Sequence, residues 1–205
     1  MKKAALTIIS ALFFGMMANA QTVSETVAPF NKDRKPAFTM QLDYSKKLVE
    51  EALANRLKKD KLKSKSEGGM TKYAQANYPA ICAQQCDFYT KVDGTSKIAT
   101  IYLFVSKGYN NFVSSGDDED TAARVKSFLL SLVNDVRDLD LKYQIDDQTK
   151  VSDKAQKDYE KLVDQKAKLE KDLRDTENAI KQADSNRQQQ KAILDQLTQK
   201  RASGK

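Results

Sequence analysis

There is no histidine anywhere in the 205 residues. That removes the side chain that most often serves as a general base near neutral pH. The serines lack a G-x-S-x-G elbow, and neither a P-loop nor a G-x-G-x-x-G turn occurs. Carboxylates are plentiful, but they fall mainly on polar helix faces and loops. A zinc set cannot be completed from two cysteines and no histidine, and their spacing is not C-x-x-C. The expectation is a protein that is not an enzyme, with no catalytic residue, no cofactor and no bound metal.

Glycine and proline are missing from Asp117 to Ser203. A chain without either breaker, rich in Lys, Glu, Asp, Gln, Leu and Ala, reads as a long exposed helix or a coiled coil. From Tyr159 a heptad can be written. Its a positions are Tyr159, Lys166, Leu173, Ile180, Arg187 and Leu194. Its d positions are Leu162, Leu169, Thr176, Ala183, Gln190 and Leu197. The apolar members, Tyr159, Leu162, Leu169, Leu173, Ile180, Ala183, Leu194 and Leu197, form the candidate seam for a second helix. Arg187 and Gln190 interrupt it. Asp184-Ser185-Asn186 could turn the segment into a hairpin, but with no Gly or Pro there one continuous helix is expected.

Only one long apolar run exists, and it lies at the N-terminus. Met1-Lys2-Lys3 is followed by an apolar stretch to Met17 and by Ala18-Asn19-Ala20. This is the pattern of a secretory signal peptide cleaved before Gln21. The apolar stretch is short for a membrane span. No cysteine stands at the expected new N-terminus, so a bacterial lipoprotein is not indicated, and no transmembrane span is expected in the mature chain. The net charge of +7 falls to about +5 once Lys2 and Lys3 are gone. In an exported protein so mild a positive charge points to solubility or to anionic envelope surfaces rather than to nucleic acid. Export also permits a disulfide, and Cys82 and Cys86 are the candidate pair.

Residues 1–20 are thus read as a signal peptide and 21–36, polar and carrying two prolines, as a disordered lead-in. Residues 37–145 are read as an α+β domain, and 146–203 as a helical coiled-coil tail. Within the domain the expected order is β-α-β-β-β-α, a small antiparallel sheet with two helices on one face. Ala37–Asp43 alternates as a strand, and Asp43 is the expected cap of a helix running to about Asp60. Strands follow at Met70–Tyr78, at Cys86–Val92 with a hairpin turn at Asp93-Gly94, and at Lys97–Val105. The last strand is apolar on both parities, which marks it as central. A second helix follows the acidic run Asp117–Asp120. Its acids suit a helix N-terminus better than a calcium loop.

Two surfaces stand out. If both helices cover one sheet face with Ala99, Ile101, Leu103 and Val105, then Thr100, Tyr102 and Phe104 face the other way. They become a candidate partner face, unless the loop around Tyr109 and Phe112 or the tail covers them. The run Arg56, Lys58, Lys59, Lys61, Lys63 and Lys65 is the densest charge and the candidate contact for an anionic surface. It also suits the C-terminal end of a helix. No aromatics interleave with it, so nucleic acid is not expected.

The segment Cys86-Asp87-Phe88-Tyr89-Thr90-Lys91-Val92-Asp93-Gly94, the Leu103-Phe104-Val105 strand and the tail together resemble a set of exported proteins of Gram-negative bacteria. These combine a small α+β domain with a C-terminal coiled coil, and no activity is attached to them. The basic, exported and helical-armed character is also similar to Skp-type periplasmic chaperones. In those, β structure flanks the arms on both sides, and here no strand signal follows Lys200. The resulting expectation is an exported protein, periplasmic with an extracellular location as the alternative, that acts by association through its α+β domain and tail. The partner would be a second copy or another envelope protein. The alternatives are a chaperone-like binder of unfolded or membrane-bound clients and a binder of anionic surfaces.

Overall fold

The computed structural model describes residues 21–204, so the signal-peptide reading of residues 1–20 lies outside the described residues. The order is β1 (Val23–Phe30), β2 (Asp33–Leu42), α1 (Lys46–Lys59), β3 (Lys65–Glu67), β4 (Met70–Ala76), β5 (Cys86–Gly94), β6 (Ala99–Ser106) and α2 (Glu119–Ala202). The strands form one antiparallel sheet of order β1-β2-β6-β5-β4-β3. The class is α+β with a long C-terminal helix. The chain divides after Lys142 into two compact units. The start of α2 completes the first, and the rest of α2 makes the second.

Besides the short strand β3, which was not expected, two parts of the sheet depart from the sequence reading. The expected disordered lead-in over 21–36 contains β1 and the start of β2, paired from Val23↔Met40 to Phe30↔Asp33. Its polar composition suits an edge strand, which buries only Ala28 and Phe30. Pro29 is tolerated there because an edge strand does not need every N–H. The expected turn at Asp93-Gly94 lies further on. Asp93 and Gly94 still pair with Thr100 and Ala99, and the chain reverses between Thr95 and Ile98. Thr95 Oγ1 accepts from the N–H groups of Lys97 and Ile98 at 3.2 and 3.3 Å, so the threonine supplies the turn chemistry.

Helix α1 is capped by Ser45, whose Oγ accepts from Leu48 N–H at 3.3 Å, rather than by Asp43. It buries Leu48, Val49, Ala52, Leu53 and Leu57. The first turns of α2 bury Val125, Phe128, Leu129, Leu132 and Val136. Both stripes share one core with Phe38, Met40 and Leu42 of β2, Phe88 and Val92 of β5, and Ala99, Ile101, Leu103 and Val105 of β6. The two helices therefore lie on one face of the sheet, and the aliphatic parity of β6 faces them.

The other face curls. Asn31 in the β1–β2 turn sits so close to Gly68 in the β3–β4 turn that a Cβ on Gly68 would overlap its side chain. These turns belong to hairpins at opposite ends of the strand order. Gly68 and Gly69 take φ of 58° and 76°, the left-handed pair that a tight two-residue hairpin turn needs. The curl encloses a second apolar cluster of Ala28, Phe30, Ala37, Met70, Tyr89, Phe104 and Phe112, with Tyr102 packed at its margin.

Candidate interaction surfaces

The second cluster is assembled from both ends of the first unit. After β6 the chain reverses through Gly108, Tyr109 and Asn110, all at positive φ, and Lys107 N–H bonds to Asn111 C=O at 2.9 Å. Phe112 then bridges back to Ser106 and folds over the sheet. Phe30 lies between the other rings, with centroids 4.8 Å from Tyr89, 5.2 Å from Phe104 and 4.8 Å from Phe112. Lys35 stands over the Phe112 ring at 5.7 Å and Lys72 over Tyr89 at 5.2 Å. The hydroxyl of Tyr89 beside Lys72 raises the lysine pKa, and Glu67 adds to the effect. Their stems and charges close the cluster toward water.

This placement splits the candidate partner face. Phe104 is only 1% exposed and belongs to the cluster, so it cannot meet a partner. Thr100 and Tyr102 are half-buried and line a polar concavity of about 540 Å³ with Ser24, Thr26, Thr39 and Gln41. The aromatic loop that covers Phe104 was legible at Phe112. Phe30 was not, because the strand carrying it is mostly polar.

The basic run does not form one patch either. Arg56 is engaged internally: its guanidinium donates to Asp135 on α2 and lies 5.5 Å from the Phe128 ring centroid. Beside it, the Tyr78 hydroxyl donates to Asp60 at 2.7 Å, and burial pushes its pKa up to about 12. Lys58 lines a cleft of about 590 Å³ between α1, β4 and β5, whereas Lys59 lines a groove with Asp135 and Asp138. Lys61 follows the helix end at φ 60°, and Lys63 is exposed. Lys65 sits in β3 opposite Lys72, which is drawn to Glu67 at 3.4 Å and Asp87 at 3.6 Å. In the cleft Lys46 meets Glu50 at 3.7 Å and Lys91 meets Asp93 at 2.6 Å, so much of its charge is already paired. Among the described residues, no group of three or more Cys, Asp or Glu side chains could hold a metal ion.

Cys82 and Cys86 lie at disulfide-bonding distance, with their Cα atoms 6.5 Å apart. Both are buried, and Cys82 N–H bonds to Tyr78 C=O at 3.0 Å, in the turn that leads into the short loop between them. Thiol titration under denaturant is expected to find no free thiol. Replacing both by serine is expected to destabilise at the low end of the roughly 0–5 kcal/mol range, because the closed loop is so short. Two reactive thiols in the untreated protein would contradict the bond.

The start of α2 uses its acids as the sequence suggests. Asp118 Oδ1 accepts from Thr121 N–H at 3.2 Å, and its other oxygen pairs with Lys107. The Lys107 ammonium and then Thr121 hold the Asp118 pKa down to about 2. A depressed carboxylate pKa stabilises the fold above the ordinary carboxylate range. That contribution disappears as pH falls from that range through about 2. Melting curves from about pH 5 to about pH 2 are expected to fall less steeply in Asp118→Asn than in the parent. Parallel curves would show that the ion pair contributes nothing.

In the second unit α2 runs unbroken through Asp184-Ser185-Asn186, so the tail is one helix and not a hairpin. Tyr159, Leu162, Leu169, Leu173, Ile180, Leu194 and Leu197 are each 57–68% exposed, and Ala183 is exposed beside them. Ile145, Val151, Val163 and Ile193 are the other exposed large apolar residues from position 145 onward. In the heptad frame they fall at a, g, e and g. Every exposed large apolar residue from Ile145 on therefore lies at a, d, e or g, and none lies on the opposite face. The charged pair Lys150–Asp147 decorates the opposite surface at 2.8 Å, whereas Arg187, at an a position, is held by Asp184 at 2.6 Å beside the stripe. No family model, curated protein or solved structure matches the chain. Among the described residues no helix is long and apolar enough to cross a membrane.

Proposed function

We propose that this is a non-enzymatic exported envelope protein, most simply periplasmic, that acts by association. The α+β unit is the folded head, and the tail is the seam by which one copy binds another. The carrying observation is the confinement of the exposed large apolar side chains from Ile145 onward to one helical stripe. A helix that only spans solvent has no reason to sort them that way. Burying a leucine against a neighbouring helix stabilises by about 1.5–3 kcal/mol, so several such positions suffice for a dimer. Export is supported by the pattern in residues 1–20, and an oxidising compartment by the Cys82–Cys86 pair.

Removing Val151–Lys205 tests the division of labour. The shortened chain retains every buried residue of the first unit and should elute as a folded monomer, while the full chain elutes as a dimer or larger. Association that persists in the shortened chain would place the binding surface on the α+β unit instead.

A further inference from the structure

The seam also carries information about how two copies lie against each other. We infer that the tail pairs with a second copy in antiparallel orientation, about a twofold axis near Lys171. The inference rests on the self-association reading above.

A parallel, in-register pair would set identical residues opposite each other. Lys166 would then meet its own copy at an a position, and so would Arg187. The g residues just before them, Gln165 and Asn186, are neutral and bring no carboxylate to either layer. The flanks would add Asp172 at g facing the partner's Glu177 at e. Two stacked cation layers and a facing acid pair all act against that arrangement, most strongly where water is excluded.

Reversing one helix about Lys171 removes all three conflicts. In a twofold pair, a residue i that meets residue j implies that j meets i. Leu169 then meets the partner's Leu173, Leu162 the partner's Ile180, and Tyr159 the partner's Ala183. At the ends Ile145 meets the partner's Leu197. Lys166 lies opposite the partner's Thr176, a polar layer in place of a cation stack. Arg187 lies opposite the partner's Ala155, where its long side chain can reach water while held by Asp184 on its own helix. Outside the a and d positions, Val151 and Ile193 are both at g and approach each other, whereas Val163 at e lies opposite the partner's Glu177. Near the axis Glu170 is drawn to Lys166 of its own helix at 3.6 Å. The cost is the approach of Asp172 to its own copy on one flank and of Glu170 to its own copy on the other, both on the solvated flanks rather than in the seam. The pattern is palindromic about Lys171 in six of the eight a and d layers between Ile145 and Leu197, the exceptions being Arg187 opposite Ala155 and Leu194 opposite Gln148, and this requires the unbroken helix through Asp184-Ser185-Asn186 that the structure shows.

The test is cysteine cross-linking in the full chain, secreted by its expression host, with Cys82 and Cys86 left in place. Leu162→Cys and Ile180→Cys are made separately, and each is oxidised mildly alone and after mixing with the other. The expected result is a covalent dimer from the mixture and little from either variant alone. Covalent dimers from each variant alone would show the parallel arrangement and overturn the inference. A dimer by sedimentation that cross-links in none of the three samples would overturn the register. A monomer by sedimentation for the parent chain would instead remove the self-association reading on which the orientation rests, with the seam then serving a different protein.

Discussion

Phe104→Ala is expected to lower the stability of the α+β unit by about 3–5 kcal/mol, the usual loss for a fully buried phenylalanine. The ring is 1% exposed and T-shaped against Phe30 at 5.2 Å, in a cluster that also holds Tyr89 and Phe112. A domain of this size is stable by only about 5–15 kcal/mol, so the loss is a large share of the whole. Tyr102→Ser is the contrast. Tyr102 is half-buried at the margin of the same cluster, and its loss is expected to stay near about 1 kcal/mol. Urea denaturation of the two variants separates them. Equal, small effects would mean that the outer cluster is not a core and that Phe104 is free to meet a partner after all.

Leu169→Asp with Leu173→Asp is expected to abolish association. Four leucines leave each dimer, at about 1.5–3 kcal/mol apiece, and four carboxylates take their places. The dissociation constant should rise on the order of a thousandfold or more. Both residues are exposed and lie outside the core of the first unit, so thermal unfolding of that unit should be unchanged. Replacing Lys58, Lys59 and Lys63 by glutamine should leave association intact, since their ammonium groups belong to a different unit. Association lost in the lysine variant and kept in the leucine variant would move the binding surface to the basic end of α1.

The parts legible from sequence were those with a strong period. β6 gave its inward parity because Ala99, Ile101, Leu103 and Val105 are aliphatic throughout. α1 and the start of α2 gave their stripes by helical spacing. The tail gave its continuity because nothing in it breaks a helix, and its exposed apolar stripe by heptad spacing. What stayed hidden depended on contacts distant in sequence. β1 looks disordered because an edge strand on a curled sheet buries few side chains, and Phe30 finds its partners only once the hairpin tips meet. Phe104 reads as exposed until Phe112 and Phe30 are placed over it. Arg56 reads as part of a charge cluster until Asp135, far along the chain, comes beside it.

Sedimentation equilibrium of the full secreted chain at tens of micromolar, roughly where a weak coiled coil should associate, bears most directly on association through the tail. A dimer is expected, dissociating on dilution and lost in Leu169→Asp with Leu173→Asp. A monomer at that concentration, with the helix intact by circular dichroism, would contradict it.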